Sequence, residues 1–127
     1  MANIGFIGLG IMGHPMAAHL QAGGHALFVV KRSKPTPADL LSGGAVECAT
    51  SKEVAEKADI IITMVPDTPD VEAVLFGADG VAAGLTKGKL VIDMSSISPT
   101  ATKTFAAKIN ALGCQYLDAP VSGGQVG

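Results

Sequence analysis

Three glycines near the amino terminus have the spacing of a phosphate-binding turn. Gly8, Gly10 and Gly13 follow the apolar run Ile4–Ile7 and precede a stretch with helical character. A strand, a glycine turn and a helix N-terminus in this order bind the pyrophosphate of a dinucleotide, because the helix end presents unpaired N–H groups and a positive dipole. We expect Gly8 to allow the sharp exit from the strand, Gly10 to admit the phosphates, and Gly13 to let the helix pack closely.

A basic cluster lies about twenty residues beyond the turn, where a dinucleotide site selects its adenosine ribose. NAD-selective sites usually carry an acid at this place, but this chain has Lys31, Arg32 and Ser33. Two cations and a hydroxyl can neutralise and bind a ribose 2′-phosphate. The cluster therefore favours NADP over NAD, and a solvated basic turn without a ligand is the alternative.

Two further segments follow apolar runs. Met64-Val65-Pro66 is expected to form an apolar shelf beside a cofactor, because Pro66 stiffens the chain as it leaves its strand; simple loop punctuation is the alternative. Asp93 and the hydroxyl-rich segment 95–98 come next. We expect Asp93 and Ser98 to cap nearby backbone groups, whereas Ser95 and Ser96 lie where a nicotinamide would arrive.

A small-residue turn stands near the end of the chain. Ser122-Gly123-Gly124 offers a hydroxyl and unobstructed N–H groups, which suit a small carboxylate. An ordinary turn is the alternative for this segment.

Six short apolar runs alternate with helical segments or loops, and we expect each run to form a strand. They are Asn3–Ile7, Ala26–Val30, Ala45–Cys48, Asp59–Met64, Lys89–Asp93 and Gln115–Leu117. Such alternation predicts right-handed βαβ crossovers and a parallel sheet. Three strands before residue 51 and three after it predict one α/β domain over residues 1–127, a doubly wound parallel sheet (Rossmann fold) of order 3-2-1-4-5-6.

Helix signals punctuate the same segments. We expect helices to begin near Ser51, Thr68 and Ser98, the last helix covering Ala101–Leu112, with a C-cap at Gly113. Gly23 and Gly24 are expected to end the first helix in the same way.

Composition excludes several classes of function. A net charge of −2 leaves no basic surface for nucleic acid, and no apolar stretch has the length of a membrane span. His14, His19 and His25 are spaced by five and six residues, which does not align them on one helix face, so no metal site is expected. Cys48 and Cys114 are expected to be buried free thiols, and together with the absence of a signal-like leader they favour the cytoplasm.

Four ordered motifs, at residues 5–13, 64–66, 93–96 and 118–124, together resemble those of the β-hydroxyacid dehydrogenase family. The resemblance spans the whole chain. It implies NAD(P)-dependent interconversion of a small β-hydroxyacid and its semialdehyde by hydride transfer. It also assigns site residues, which fall into two groups. The cofactor-binding group is Gly8, Gly10, Ile11, Met12, Gly13, Lys31, Arg32, Ser33, Met64, Val65, Pro66 and Ser96, and the substrate-binding group is Ser122, Gly123 and Gly124.

Two departures from the family pattern matter. Lys31 stands where many NAD-using members have an acid. The catalytic lysine of the family, and the helical domain that closes its cleft and forms its oligomer interface, lie downstream of the Ser-Gly-Gly motif. The resemblance therefore implies that residues 1–127 are an amino-terminal part of a homo-oligomeric enzyme, without a catalytic residue and inactive alone. A non-catalytic dinucleotide-binding module and an imine reductase-like enzyme remain as alternatives.

Overall fold

The computed structural model describes residues 3–8, 13–30, 38–64, 68–94 and 99–118. Helices and strands alternate throughout them. The strands are β1 Asn3–Ile7, β2 Ala26–Val30, β3 Val46–Cys48, β4 Ile60–Thr63, β5 Leu90–Asp93 and β6 Gln115–Asp118. The helices are α1 Gly13–Ala22, α2 Ala38–Ser42, α3 Ser51–Lys57, α4 Thr68–Phe76, α5 Val81–Gly84 and α6 Pro99–Ala111.

The six strands form one parallel sheet in the order β3-β2-β1-β4-β5-β6. This is the predicted doubly wound topology. The strand order reverses between β1 and β4, where Ile7 pairs with Thr63, and Thr63 in turn pairs with Asp93 on β5. The carboxyl ends of all six strands therefore lie at one edge of the sheet, called here the carboxyl edge.

Two hydrophobic cores cover the two faces of the sheet, because successive side chains of a strand point to opposite faces. On one face, α1 and α2 contribute Ala17 and Leu40 to a core with Phe6 and Leu27. On the other face, called here the α4 face, helices α3 to α6 pack on Ile7, Ile61 and Val91. Tight packing of α3 on β1 depends on Gly5, since a Cβ there would lie 3.2 Å from Ala58 Cβ and would overlap Val54.

The glycines predicted to end the first and last helices are confirmed in that role. Gly24 and Gly113 adopt φ angles of +91° and +82°, and the Cys114 N–H closes the end of α6 on the Ile109 carbonyl at 3.4 Å. At α3, the cap is Thr50, whose hydroxyl accepts the Glu53 N–H at 3.1 Å, while the Glu53 carboxylate accepts the Ala49 N–H at 2.7 Å.

Sequence reasoning missed two short helices, α2 and α5, whose four or five residues are too few to show a helical period. It also placed α6 two residues late and extended it by one at its end. The remaining differences are single residues at strand ends.

Candidate functional site at the carboxyl edge

Gly8 begins the glycine turn that follows β1. It has a φ of +101°, a conformation that a residue with a Cβ rarely adopts, so the predicted sharp exit from the strand is present. Helix α1 begins at Gly13 and carries no acidic residue in its first turn. The positive end of its dipole is therefore not offset by a carboxylate of that turn and faces the carboxyl edge at the switch point. Gly10, Ile11 and Met12 lie outside the described residues.

The end of β2 leads toward the predicted adenosine position. Lys31, Arg32 and Ser33 lie outside the described residues, but Val30, immediately before them, lines an open cavity of about 220 Å³. The other lining residues come from α3, from α4 and from the turn that follows α4. They are Ser51, Ala73, Val74, Ala78, Asp79 and Gly80. This cavity offers both apolar and polar contacts next to the place where the adenosine ribose is expected.

Met64 continues the edge at β4. Its N–H donates to the Ile7 carbonyl at 2.9 Å, and the N–H of Met94 donates to the Thr63 carbonyl at 2.8 Å. Both methionines are half-buried and pack against the core to which α1 and α2 contribute, on the face of the sheet opposite the α4 face. The backbone is thus held in the sheet ladder for one residue beyond each strand, at the position predicted for the apolar shelf. Val65 and Pro66 lie outside the described residues.

A buried polar cluster that sequence reasoning did not predict lies at the ends of β4, β5 and β6. Asp93 is fully buried, and its two carboxylate oxygens accept hydrogen bonds from the Thr63 hydroxyl at 3.1 Å and from the Tyr116 hydroxyl at 2.8 Å. The expected capping role for Asp93 overlooked these bonds to neighbouring strands. The only available signal was the placement of Thr63 and Asp93 at or next to the ends of two consecutive apolar runs.

The remaining predicted site residues, Ser96, Ser122, Gly123 and Gly124, lie outside the described residues, as do Ser95 and Ser98. Asp93 and Asp118 pair in register, so β5 and β6 deliver the chain to the carboxyl edge at the same level. These segments therefore start from the edge where the sequence predicted the nicotinamide and the substrate carboxylate.

The described lysines next to β5 are far from this chemistry. Lys89 precedes β5 at the amino edge of the sheet, and its ammonium donates to the carbonyls of Ala55 and Glu56 at the end of α3. Lys87 is exposed in the same turn. Neither side chain is in a position to protonate a group bound at the carboxyl edge.

Cys48 and Cys114 are buried free thiols, as predicted. Burial raises the pKa of the Cys48 thiol, the negative charge of Glu53 raises it further, and Lys57 opposes both. Within the ranges that the structure describes, no three metal-ligating side chains cluster. Over those same ranges no helix is long and apolar enough to cross a membrane.

Residues 3–127 match the family model of the NAD-binding domain of 6-phosphogluconate dehydrogenase. The chain belongs to this family of dinucleotide-binding domains, and its resemblance to the β-hydroxyacid dehydrogenases is confirmed. 2-Hydroxy-3-oxopropionate reductase of Escherichia coli is 56% identical over 125 residues, which cover 98% of this chain and 42% of that protein.

Two solved structures have the same fold. 3-Hydroxyisobutyrate dehydrogenase of Salmonella typhimurium superposes with a TM-score of 0.86 at 35% identity, over 99% of this chain and 44% of that one. Psf3 in complex with NADP+ and 2-OPP gives a TM-score of 0.86 at 30% identity, over 94% of this chain and 43% of that one. The chain therefore spans about two-fifths of the length of the proteins it matches.

Proposed function

We propose that this chain is the dinucleotide-binding domain of an NADP-preferring reductase that interconverts a small β-hydroxyacid and its semialdehyde. The observation that carries the proposal is the turn at Gly8, at positive φ, which links β1 to the N-terminus of α1 at the switch point of the sheet. Tartronate semialdehyde, reduced to glycerate, is the substrate we favour, because the relative described above as 56% identical is a 2-hydroxy-3-oxopropionate reductase.

We assign the residues around the dinucleotide by their place at the carboxyl edge. Gly8 to Gly13 hold the pyrophosphate at the helix N-terminus, and the basic segment 31–33 binds the adenosine ribose and its 2′-phosphate. Met64, Val65 and Pro66 form an apolar wall, and Ser96 meets the nicotinamide ribose or ring. The cavity beside Val30 supports placement of the adenosine in this half of the sheet.

We place the substrate carboxylate on Ser122, Gly123 and Gly124, whose small side chains leave N–H groups accessible. A bound nicotinamide supplies the hydride that the carbonyl carbon receives. The oxygen that becomes an alkoxide then needs a proton, and the resemblance assigns the donor to a lysine beyond residue 127. We further propose that the complete enzyme is a homo-oligomer and, since both thiols are free and buried, that it works in the reducing cytoplasm.

Cofactor titration of the chain tests the proposal. We expect NADPH to bind more tightly than NADH by about 1–3 kcal/mol, because the 2′-phosphate gains one or two charge-assisted hydrogen bonds. The protein has no tryptophan, so the fluorescence of the reduced nicotinamide reports binding without interference from an indole. Replacing the cation by Lys31→Asp should reverse the order.

The control is Lys103→Asp, which makes the same charge change on an exposed position of α6. It should leave the preference unchanged. Equal or tighter binding of NADH by the unaltered chain would refute the NADP preference, and no binding of either cofactor would refute the dinucleotide site itself. A non-catalytic dinucleotide-binding module would bind the cofactors in the same way as a reductase domain. Assays of the longer protein with semialdehydes and with imines distinguish such a module from a semialdehyde reductase and from an imine reductase.

A further inference from the structure

The buried cluster of Thr63, Asp93 and Tyr116 is built from three adjacent strands. Thr63 and Asp93 are fully buried, and they are the buried polar residues of a core that is otherwise apolar in the described part of the chain. Every buried polar side-chain atom in that part has a hydrogen-bond partner. The carboxylate of Asp93 thus joins β5 to β4 on one side and to β6 on the other.

Such a cluster contributes little net stability to a core. A carboxylate loses its hydration when it is buried, and replacing a buried ionic or polar group by well-packed apolar side chains is often neutral or stabilising. The two other strand positions on the α4 face of β4 and β5 are the apolar residues Ile61 and Val91, each two residues before Thr63 or Asp93 in its strand. The polar exception falls at the carboxyl edge, where the strands end.

The position of the cluster relates it to one half of the dinucleotide site. In a doubly wound sheet each half of three strands binds one nucleotide, and the glycine turn and the ribose-selecting segment assign the adenosine nucleotide to β1, β2 and β3. Strands β4, β5 and β6 therefore face the nicotinamide nucleotide. Met64 and Met94, the first residues beyond β4 and β5, are held by backbone hydrogen bonds to Ile7 and Thr63 at this half of the carboxyl edge.

We propose that Asp93 is a positioning residue for the nicotinamide half of the bound dinucleotide, acting through Thr63 and Tyr116 on the ends of β4, β5 and β6. The inference rests on the proposed dinucleotide site and deepens it. The carboxylate is fully buried, so its effect on a bound ligand is exerted through the strands that it joins. It fixes the relative positions of three strand ends, so that the nicotinamide side of the site is formed before the ligand arrives and less ordering is required on binding.

The test compares a whole dinucleotide with its adenosine half. The dissociation constants of NADP+ and of adenosine 2′,5′-bisphosphate are measured by calorimetry for the unaltered chain and for the double variant Thr63→Val with Tyr116→Phe. If NAD+ proves the tighter ligand, NAD+ and ADP replace them. We expect the double variant to bind the dinucleotide about tenfold more weakly, because its nicotinamide side then has to be ordered on binding, and to bind the adenosine fragment within twofold of the unaltered chain.

Two further variants make the result specific. Asp93→Ala should weaken dinucleotide binding. Asp93→Asn, which keeps the shape and one acceptor oxygen, should recover part of that lost affinity. Ile109→Val shortens a fully buried side chain on α6, and the Ile109 carbonyl bonds to Cys114 just before the amino end of β6. It should lower the melting temperature without changing the affinity ratio of the two ligands. Should the double variant not fold, Tyr116→Phe alone, at a half-buried position, carries the comparison.

Three outcomes would overturn the inference: equal weakening of both ligands, no weakening of either by a folded variant, or an unaltered chain that binds the fragment as tightly as the dinucleotide. An unaltered chain that binds neither ligand would instead refute the proposed function. The two failures are therefore distinguishable in one set of titrations.

Discussion

Single residues show where this small domain tolerates no change of volume or charge. Gly5 lies in the middle of β1 under α3, and Cys48 ends β3 with only 2% of its surface exposed. A methyl group at the first position and a negative charge at the second both have to enter a close-packed interior. Each gives a prediction about the free energy of unfolding.

We predict that Gly5→Ala lowers the free energy of unfolding by about 1–3 kcal/mol, because the new Cβ overlaps Val54 and lies 3.2 Å from Ala58 Cβ. Urea denaturation followed by circular dichroism measures the loss. Gly23→Ala is the matched control, since its new Cβ would lie 3.4 Å from the nearest atom, which is an ordinary contact. Equal effects of the two substitutions would show that α3 does not pack on β1 as described.

We predict that stability falls more steeply with rising pH in the unaltered chain than in Cys48→Ala. Burial raises the pKa of the Cys48 thiol, so the unfolded chain loses this proton first. The contribution is complete below the unfolded value of about 8.5 and is lost as the pH rises through the higher folded value. Urea titrations at about pH 8 and about pH 10 compare the two proteins, and parallel slopes would contradict the prediction.

At the scale of the element, the ends of the short helices are stabilised from outside. Helix α3 has seven residues, too few to be stable alone, and it is capped by Thr50 at its start. At its other end the carbonyls of Ala55 and Glu56 accept hydrogen bonds from Lys89, which belongs to the turn before β5. The crossover between the two halves of the sheet is therefore fixed by a cation at the negative end of the helix dipole.

We predict that Lys89→Met lowers the free energy of unfolding by about 1–2 kcal/mol, because two carbonyls lose a charged donor. The exposed Lys103→Met on α6 removes the same charge and should change stability by less than about 0.5 kcal/mol. Chemical denaturation of both variants at low ionic strength makes the comparison. A loss of the same size in both would mean that net charge, not the contact with α3, determines the effect.

At the scale of the whole molecule, the doubly wound order places all six strand ends at one edge and the two described lysines before β5 near the opposite edge. Binding and proton donation are therefore separable in this domain. The described carboxyl-edge residues can shape a dinucleotide site, but none of them is a lysine that could act as the family's proton donor.

We predict that the 127-residue chain binds NADPH and catalyses no measurable reduction of tartronate semialdehyde or related semialdehydes. Without a general acid and a closed, water-excluding cleft, about 10²- to 10⁴-fold of rate acceleration is lost from the acid alone. Absorbance of the reduced cofactor is followed for this chain and for a protein that extends beyond residue 127. Turnover by the chain within tenfold of the longer protein would place the donor among residues 1–127.

The sequence by itself determined the features that depend on neighbours along the chain. Alternating apolar runs predicted six strands, and the doubly wound fold that they indicate supplied the strand order. Glycine sterics predicted the turn at Gly8 and the helix ends at Gly24 and Gly113, and all three glycines have positive φ. A turn, a cap or a strand is decided within a few residues, so its signal is local. The roles of the segments 31–33 and 122–124 stay predictions, because they lie outside the described residues.

Only the tertiary structure decided which distant residues meet. Thr63 and Tyr116 are separated from Asp93 by 30 and 23 positions, and Lys89 reaches carbonyls more than 30 residues earlier. These contacts depend on the register between neighbouring strands and on the packing of α3 across the sheet. Neither leaves a pattern in the adjacent sequence, because a register is set by the sum of many side-chain contacts between elements.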